Sequence, residues 1–140
     1  MPVLPGLKKP EKGWLWRAAV CLCVIAIAGH FMGGVSTPTA RSVTAVDYIR
    51  LCLLPALAEE MVFRGMIQTL LRPFGQAAAI LVTAILFAAM HSTGTMLYAL
   101  VAGLALGWCA LRCGSIWPGV AVHFINNTLA FCGLISGRVR

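Results

Sequence analysis

The sequence predicts an all-α, polytopic membrane protein in which about five transmembrane helices form a compact bundle. Hydrophobic residues fill 60% of the 140 positions and charged residues only 11%. Mean hydropathy is +0.89, well above that of ordinary soluble domains. Asp, Glu, Lys and Arg are absent between Arg72 and Arg112, and again between Arg112 and Arg138. A crossing helix needs about 20 residues, so the first gap has room for two spans and the second for one.

Turn and cap signals set the expected helix boundaries. Pro73 closes the second helix because the residue before proline disfavours helical backbone. Ser115 is the expected N-cap of the last helix, with Pro118 in its first turn. A polar loop at 33–39 follows the first helix. The predicted helices are 14–31, 47–71, 76–91, 95–112 and 116–136, with a basic segment at 1–13 and a single transmembrane domain at 14–140.

The positive charge predicts membrane topology. Eleven Lys and Arg against four acidic residues give a net charge of +7, but the basic residues lie at helix ends, so no nucleic-acid partner is expected. The positive-inside rule favours a cytoplasmic N-terminus in a bacterial inner membrane, with membrane lipids as partners. One set of basic residues then shares the cytoplasmic side: Lys8, Lys9, Lys12, Arg17, Arg72 and Arg112. The opposite side has Arg41, Arg50, Arg138 and Arg140.

The first helix has a competing interpretation as a cleaved signal peptide. A basic region precedes it, and Ala40 could lie before a cleavage site. The long apolar stretch and Pro38 near that site favour a retained anchor. The six cysteines lie almost entirely in apolar segments without a Cys-x-x-Cys motif, which favours packing over disulfide or metal use.

Two adjacent carboxylates, Glu59 and Glu60, interrupt the apolar second helix. Each costs roughly 2.5–3.5 kcal/mol at bilayer depth, so the pair needs a compensating role. Glu60 precedes Arg64 by four residues, in the favourable order for an ion pair on one face. Glu59 lies about 100° around the helix, towards Phe63, and is left available. We therefore expect Glu60 to be structural and Glu59 to be a general base.

Two further helices carry polar residues at a similar predicted depth. His123 and Asn127 share one helical face and can donate hydrogen bonds to an oxyanion. His91 would complete the water-activating pair with Glu59. At a helical rise of 1.5 Å per residue, the polar side chains of the three helices lie roughly 12–21 Å from the cytoplasmic face. Asn126 lies off that face and is expected to pack between helices.

Each feature also has a non-catalytic interpretation. Glu60 and Arg64 could form only a buried structural ion pair, His91 could be interfacial, and the face of His123 could serve interhelical hydrogen bonding. His30 is expected to be interfacial. Gly103-x3-Gly107 is a close-packing motif without assigned chemistry. Convergence of three helices at one depth favours a functional site.

These segments resemble the CPBP intramembrane protease family, also called the ABI or type II CAAX prenyl protease family. Its three motifs correspond to Glu59-Glu60-Met-Val-Phe-Arg64, Phe87-Ala-Ala-Met-His91 and His123-Phe-Ile-Asn-Asn127, in order and with roughly 30-residue spacing. The resemblance covers about residues 50–130. It implies a glutamic-type intramembrane endopeptidase in which Glu59 and His91 activate water and His123 and Asn127 form the oxyanion hole. Glu60, Arg64 and Phe87 then support the site.

The resemblance leaves the cofactor, the substrate and the surroundings of the site open. No metal is favoured, because HExxH is absent and Asn is a poor zinc ligand; a zinc site would use Glu59, His91 and His123. Substrates in the family's range are prenylated C-termini, leader peptides and C-terminal sorting tails. Many members have additional helices, so lipid, a second copy of the chain or an accessory membrane protein is expected to wall off the cavity.

Two other classes of function compete with the peptidase. A noncatalytic immunity or scaffold protein of the same fold would not need all four candidate catalytic residues. A small proton-coupled carrier would need a polar path to both faces, and beyond the loop near Thr93 and Thr95 the sequence offers no such continuation. The four retained residues therefore favour the peptidase.

Overall fold

The computed structural model describes residues 6–32 and 44–133, and every regular element within these ranges is helical. The predicted all-α class is therefore confirmed for this part of the chain. The expected loop at 33–39, the end of the fifth predicted helix at 134–136, and Arg41, Arg138 and Arg140 lie outside the described residues. We number the helices α1 (Trp14–Met32), α2 (45–71), α3 (Gln76–Ala89), α4 (Met96–Cys113) and α5 (Trp117–Phe131).

Helix α2 is continuous but not uniform, in contrast to the regular α-helix expected from the sequence. Its α-helical parts alternate with two π-helical stretches, Ile49–Leu53 and Glu60–Ile67, and a short 3-10 turn, Arg72–Phe74, follows it. Pro55 explains the first stretch, because a proline lacks the N–H group and clashes with the carbonyl four residues earlier. The wider turn bonds Leu54 N–H to Ile49 O. The second stretch contains Glu60 and Arg64.

Three helix ends differ from their predicted positions. Helix α3 ends at Ala89, so His91 lies in the following turn, where its N–H bonds to Ala88 O at 3.0 Å. Helix α5 ends at Phe131, because Gly133 has a φ of 74° and breaks the helical conformation. Ser115 is not the N-cap of α5, but its Oγ accepts the Trp117 N–H at 3.3 Å.

Within residues 6–32 and 44–133, two helices are long and apolar enough to cross a membrane. These are α1 and α4, with mean hydropathies of 1.8 and 1.7. Helices α3 and α5 have 14 and 15 residues, fewer than the roughly 20 that a full span requires. Two described helices therefore meet the length and composition of a membrane span, and the five expected spans stay a prediction.

Helix α4 packs against α1, α3 and α5, while α2 packs against α3 and α5. The predicted close-packing role of Gly103 is confirmed, because a Cβ there would lie 3.1 Å from the Cα of Ala84 on α3. The core between α1 and α4 includes Cys21, Cys109 and Cys113. Four of the six cysteine thiols are buried, in keeping with the packing role expected of them.

The N-terminal segment lies against the turn between α4 and α5. Glu11 N–H donates to Cys113 O at 2.9 Å, and Ile116 N–H donates to Gly6 O at 2.8 Å. Ser115 Oγ also donates to Lys8 O at 2.6 Å. These contacts place residues 6–11 and the end of α4 at the same end of the bundle.

Candidate active site

The predicted ion pair between Glu60 and Arg64 is confirmed, with Arg64 Nη1 2.9 Å from Glu60 Oε1. Both side chains are completely buried. Arg64 Nη2 also donates to Gly103 O at 3.1 Å, and the guanidinium carbon lies 4.6 Å from the centre of the Phe87 ring. One turn further along α2, Gln68 Nε2 donates to Gly107 O at 2.9 Å. The two glycines of the close-packing motif thus accept hydrogen bonds from α2.

His123 lies between the two adjacent carboxylates. Its Nδ1 is 3.1 Å from Glu60 Oε1, and its Nε2 is 3.8 Å from Glu59 Oε2. The carboxylate of Glu60 can only accept, so Nδ1 carries a hydrogen in this bond. Glu60 therefore binds His123 as well as Arg64, and the division of roles between Glu59 and Glu60 stays a prediction. Both carboxylates therefore flank one imidazole.

The two carboxylates nevertheless differ in exposure. The Glu59 side chain is 34% exposed, whereas that of Glu60 is fully buried. Glu60 Oε2 has no hydrogen-bond partner in the described part of the chain. Glu59 is therefore the carboxylate that remains accessible.

His91 is oriented by the end of α3. Its Nδ1 lies 2.9 Å from Phe87 O, a carbonyl in the last turn of the helix that also accepts the Met90 N–H at 3.2 Å. A carbonyl only accepts, so Nδ1 must donate, and in the neutral ring Nε2 then has the free lone pair. No hydrogen bond or ion pair joins His91 directly to Glu59 among the described residues.

Phe87 lies close to both histidines of the site. Its ring centre lies 4.7 Å from that of His91 and 6.0 Å from that of His123. The phenyl ring is 3% exposed and also faces the Arg64 guanidinium. Phe87, which was predicted to support the site, therefore lies beside three polar side chains, those of His91, His123 and Arg64.

A cavity of about 220 Å³ brings most of the candidate residues together. Three of the four predicted catalytic residues line it, while Glu59 lies beside His123 and outside the lining. Helices α1, α3, α4 and α5 and the turn after α3 contribute to the walls. The lining residues are Ile25, Phe87, His91, Thr95, Tyr98, Ala99, Ala102, Leu106, His123, Asn126 and Asn127.

The two adjacent asparagines have different partners. Asn127 Nδ2 donates to Cys52 O on α2 at 3.4 Å, while Asn126 Oδ1 accepts from Tyr98 on α4 at 2.9 Å. Asn126 therefore packs between helices, as expected, and it also lines the cavity. Tyr98 was missing from the predicted site. Its signal was a phenol in an otherwise apolar helix, which needs a hydrogen-bond partner when buried.

The alternative zinc site does not assemble in the described residues. No three side chains among His, Cys, Asp and Glu there are close enough to hold one metal ion. His123 Nε2 lies 3.8 Å from Glu59 Oε2, but His91 does not join these two side chains in one such group. Glu59, His91 and His123 therefore do not form a three-ligand zinc site in this arrangement.

Comparison with known proteins adds a family to this geometry. A family model described as "Type II CAAX prenyl endopeptidase Rce1-like" matches residues 41–129, more than half of the chain. Comparisons with curated proteins and with solved structures give no match. The matched range contains all three motifs, the whole of α2 and α3, and all but the last two residues of α5. The chain is therefore a helical membrane protein that belongs to the Rce1-like family of type II CAAX prenyl endopeptidases.

Proposed function

We propose that the protein is an intramembrane endopeptidase that hydrolyses a peptide bond in a membrane-associated substrate. The observation that carries this proposal is the placement of His123, between Glu59 and Glu60 and in the wall of a cavity shared with His91 and Asn127. A carboxylate, two imidazoles and a carboxamide supply the proton acceptor and the donors that amide hydrolysis requires. Membership of the family supports a protease.

In the proposed reaction, Glu59 accepts a proton from a water molecule whose oxygen attacks the substrate carbonyl carbon. The free Nε2 lone pair of His91 accepts the second water hydrogen and orients the nucleophile. The carbonyl electron pair moves to oxygen as the tetrahedral intermediate forms. Protonated Glu59 then returns its proton to the amide nitrogen as the C–N bond breaks, which regenerates the carboxylate.

His123 and Asn127 stabilise the oxyanion in this scheme. With a hydrogen on each ring nitrogen, His123 donates to Glu60 from Nδ1 and directs Nε2–H to the intermediate. Asn127 has two amide hydrogens, and its bond to Cys52 O uses one of them. Each residue therefore has a donor for the developing charge.

The proposed substrate has a lipid-anchored or membrane-spanning segment close to the cleaved bond. Apolar side chains, including Ile25, Ala102 and Leu106, form much of the cavity wall, which suits small apolar side chains. A prenylated C-terminal peptide, a leader peptide and a C-terminal sorting tail all satisfy this requirement. The family name favours the first.

The proposal is tested by Glu59→Gln, which keeps the size of the side chain and removes the proton acceptor. Membrane peptides from cells with the native protein are compared with those from cells that carry the variant. Products of the native enzyme should fall by at least about 100-fold, the usual contribution of a general base. Amounts of folded protein should match, because Glu59 is partly exposed and its ionic partner lies at 3.8 Å.

Glu11→Gln is the matched control, because the Glu11 side chain is 68% exposed and lies outside the cavity lining. It should leave the peptide products unchanged. Equal amounts of every product in native and Glu59→Gln cells would overturn the proposed function.

We also propose that the N-terminus faces the cytoplasm of a bacterial inner membrane. The contacts between 6–13 and the α4–α5 turn support this orientation, because they gather Lys8, Lys9, Lys12 and Arg112 at one end of the bundle. A fluorescent protein that matures only in the cytoplasm, fused before residue 1, should fluoresce. A phosphatase that is active only in the periplasm should be inactive there, and the reverse pattern would contradict the orientation.

A further inference from the structure

Tyr98 and Asn126 form a hydrogen bond between α4 and α5 inside the candidate cavity. The Tyr98 hydroxyl donates to Asn126 Oδ1 at 2.9 Å, and the two residues are 7% and 5% exposed. A carboxamide has an acceptor oxygen at one end and two N–H donors at the other. Because the phenol occupies the oxygen, it determines which way the amide group of Asn126 points.

The donor end of Asn126 opens into the cavity. Asn126 Nδ2 has no hydrogen-bond partner in the part of the chain that the structure describes, and it is not among the fully enclosed polar atoms there that lack a partner. The residue itself lines the cavity. An unpaired amide donor in the wall of a cavity favours a ligand that supplies an acceptor.

Neighbouring residues direct their hydrogen bonds elsewhere in the described part of the chain. Asn127 Nδ2 donates to Cys52 O and His91 Nδ1 donates to Phe87 O, and neither bond reaches Asn126 Nδ2. Apolar side chains, among them Ala99 and Leu106, form much of the remaining wall. A peptide substrate with apolar side chains brings strong acceptors into such a cavity through its backbone carbonyl groups.

We propose that Asn126 donates a hydrogen bond to a backbone carbonyl of the bound peptide and that Tyr98 is the positioning residue that orients it. This inference rests on the proposed function, since it assigns the peptide-binding contact of the same cavity. The contact forms with the intact substrate, unlike the oxyanion contacts assigned to His123 and Asn127. Loss of Asn126 therefore weakens substrate binding more than it slows the chemical step.

The test uses a synthetic form of the peptide whose cleavage in cells depends on Glu59, with purified protein in detergent micelles. Asn126→Asp keeps the acceptor for Tyr98 and removes both N–H groups, and Asn126→Leu removes them without adding a charge. Loss of one hydrogen bond should raise KM by about tenfold in either variant, while kcat changes by less than about threefold. If the buried carboxylate of Asn126→Asp prevents folding, Asn126→Leu still tests the proposal.

A double variant separates positioning by Tyr98 from a purely structural contribution. Tyr98→Phe alone should raise KM by roughly threefold, because the carboxamide loses its fixed orientation. The same substitution in the Asn126→Leu background should add nothing, since no amide remains to be oriented. A further rise in KM in that background would overturn the positioning role.

Glu59→Gln separates failure of this inference from failure of the proposed function. Unchanged KM in both Asn126 variants, together with an inactive Glu59→Gln enzyme, would overturn the peptide-binding role and leave the peptidase proposal standing. Cleavage by Glu59→Gln at the native rate, or no peptide whose cleavage depends on Glu59, would overturn both.

Discussion

Glu60 and Arg64 form a fully buried ion pair whose shared oxygen also binds His123. Glu60 Oε1 lies 2.9 Å from Arg64 Nη1 and 3.1 Å from His123 Nδ1. One carboxylate oxygen therefore connects α2 to the motif histidine of α5, while Arg64 continues the connection to Gly103 O on α4. The pair positions the candidate catalytic imidazole through contacts that solvent does not reach.

Removing one member of this pair should destabilise the protein strongly. In Glu60→Ala, the Arg64 guanidinium keeps its burial and loses its counter-ion, a loss that typically costs about 3–5 kcal/mol. The measurement is the free energy of unfolding in detergent micelles, followed by loss of helical circular dichroism with increasing denaturant. His123 also loses its Nδ1 partner, so activity should fall together with stability.

Two further variants serve as comparisons for Glu60→Ala. Glu11→Gln breaks a pair whose atoms are 4.0 Å apart and whose Glu11 side chain is 68% exposed, so its unfolding free energy should change by less than about 1 kcal/mol. Glu60→Met combined with Arg64→Met should be more stable than Glu60→Ala, because no unpaired charge stays buried. Equal stability of Glu60→Ala and the native protein would contradict the role of the pair.

Gly119 is predicted to be required for the close approach of α5 to Glu60. A Cβ at Gly119 would lie 3.0 Å from Glu60 Oε2, an oxygen on a side chain already held by Arg64 and His123. Gly119→Ala should therefore displace the carboxylate and lower the free energy of unfolding by about 1–3 kcal/mol. Thermal unfolding in micelles, followed by circular dichroism, measures the change.

Gly94→Ala is the control for this substitution, because a Cβ at Gly94 meets no atom within 4 Å. It should leave the unfolding temperature close to that of the native protein. A smaller loss for Gly119→Ala than for Gly94→Ala would show that the approach to Glu60 carries no strain.

Local sequence spacing predicted the helices and the pair within α2 well. The predicted starts of α2 to α5 lie within two residues of their positions in the structure, and α1 begins at the predicted Trp14. The Glu60–Arg64 bond formed as expected, because residues four apart on a helix are neighbours whatever the tertiary packing. The π-helical turns were missed because the spacing argument assumed a regular 3.6-residue period.

Contacts between helices were less predictable. The bonds from His123 to Glu60 and from Tyr98 to Asn126 depend on how α2, α4 and α5 are rotated against one another. The sequence placed polar residues at a common depth, but depth alone does not say which side chains meet. Glu59 illustrates the difference, since it reaches His123 rather than forming a direct bond with His91 in the described part of the chain.

His91 is predicted to act in the chemical step. Its Nδ1 bond to Phe87 O leaves Nε2 to orient water, so His91→Ala should lower kcat by at least about 100-fold. KM should change much less, because the ring is assigned to water rather than to the substrate. Initial rates over a range of substrate concentrations separate the two effects.

His30→Ala is the matched histidine control, since His30 is exposed in the last turn of α1 and its ring lies beside Phe31. Its kcat and KM should equal those of the native enzyme. A native kcat for His91→Ala would remove His91 from the mechanism.

Removal of divalent metal ions should leave the rate of cleavage unchanged. Zinc catalysis in proteins uses about three protein ligands around one ion, and the described residues hold no such group of His, Cys, Asp and Glu side chains. The proposed water activation instead uses the carboxylate of Glu59, with His91 as the orienting group. The experiment dialyses the purified enzyme against a strong chelator, measures residual metal by mass spectrometry and then measures initial rates. A zinc peptidase treated in parallel should lose its activity. Loss of cleavage that returns on addition of stoichiometric zinc would contradict the glutamate mechanism, whereas a full rate at substoichiometric metal would leave Glu59 as the proton acceptor.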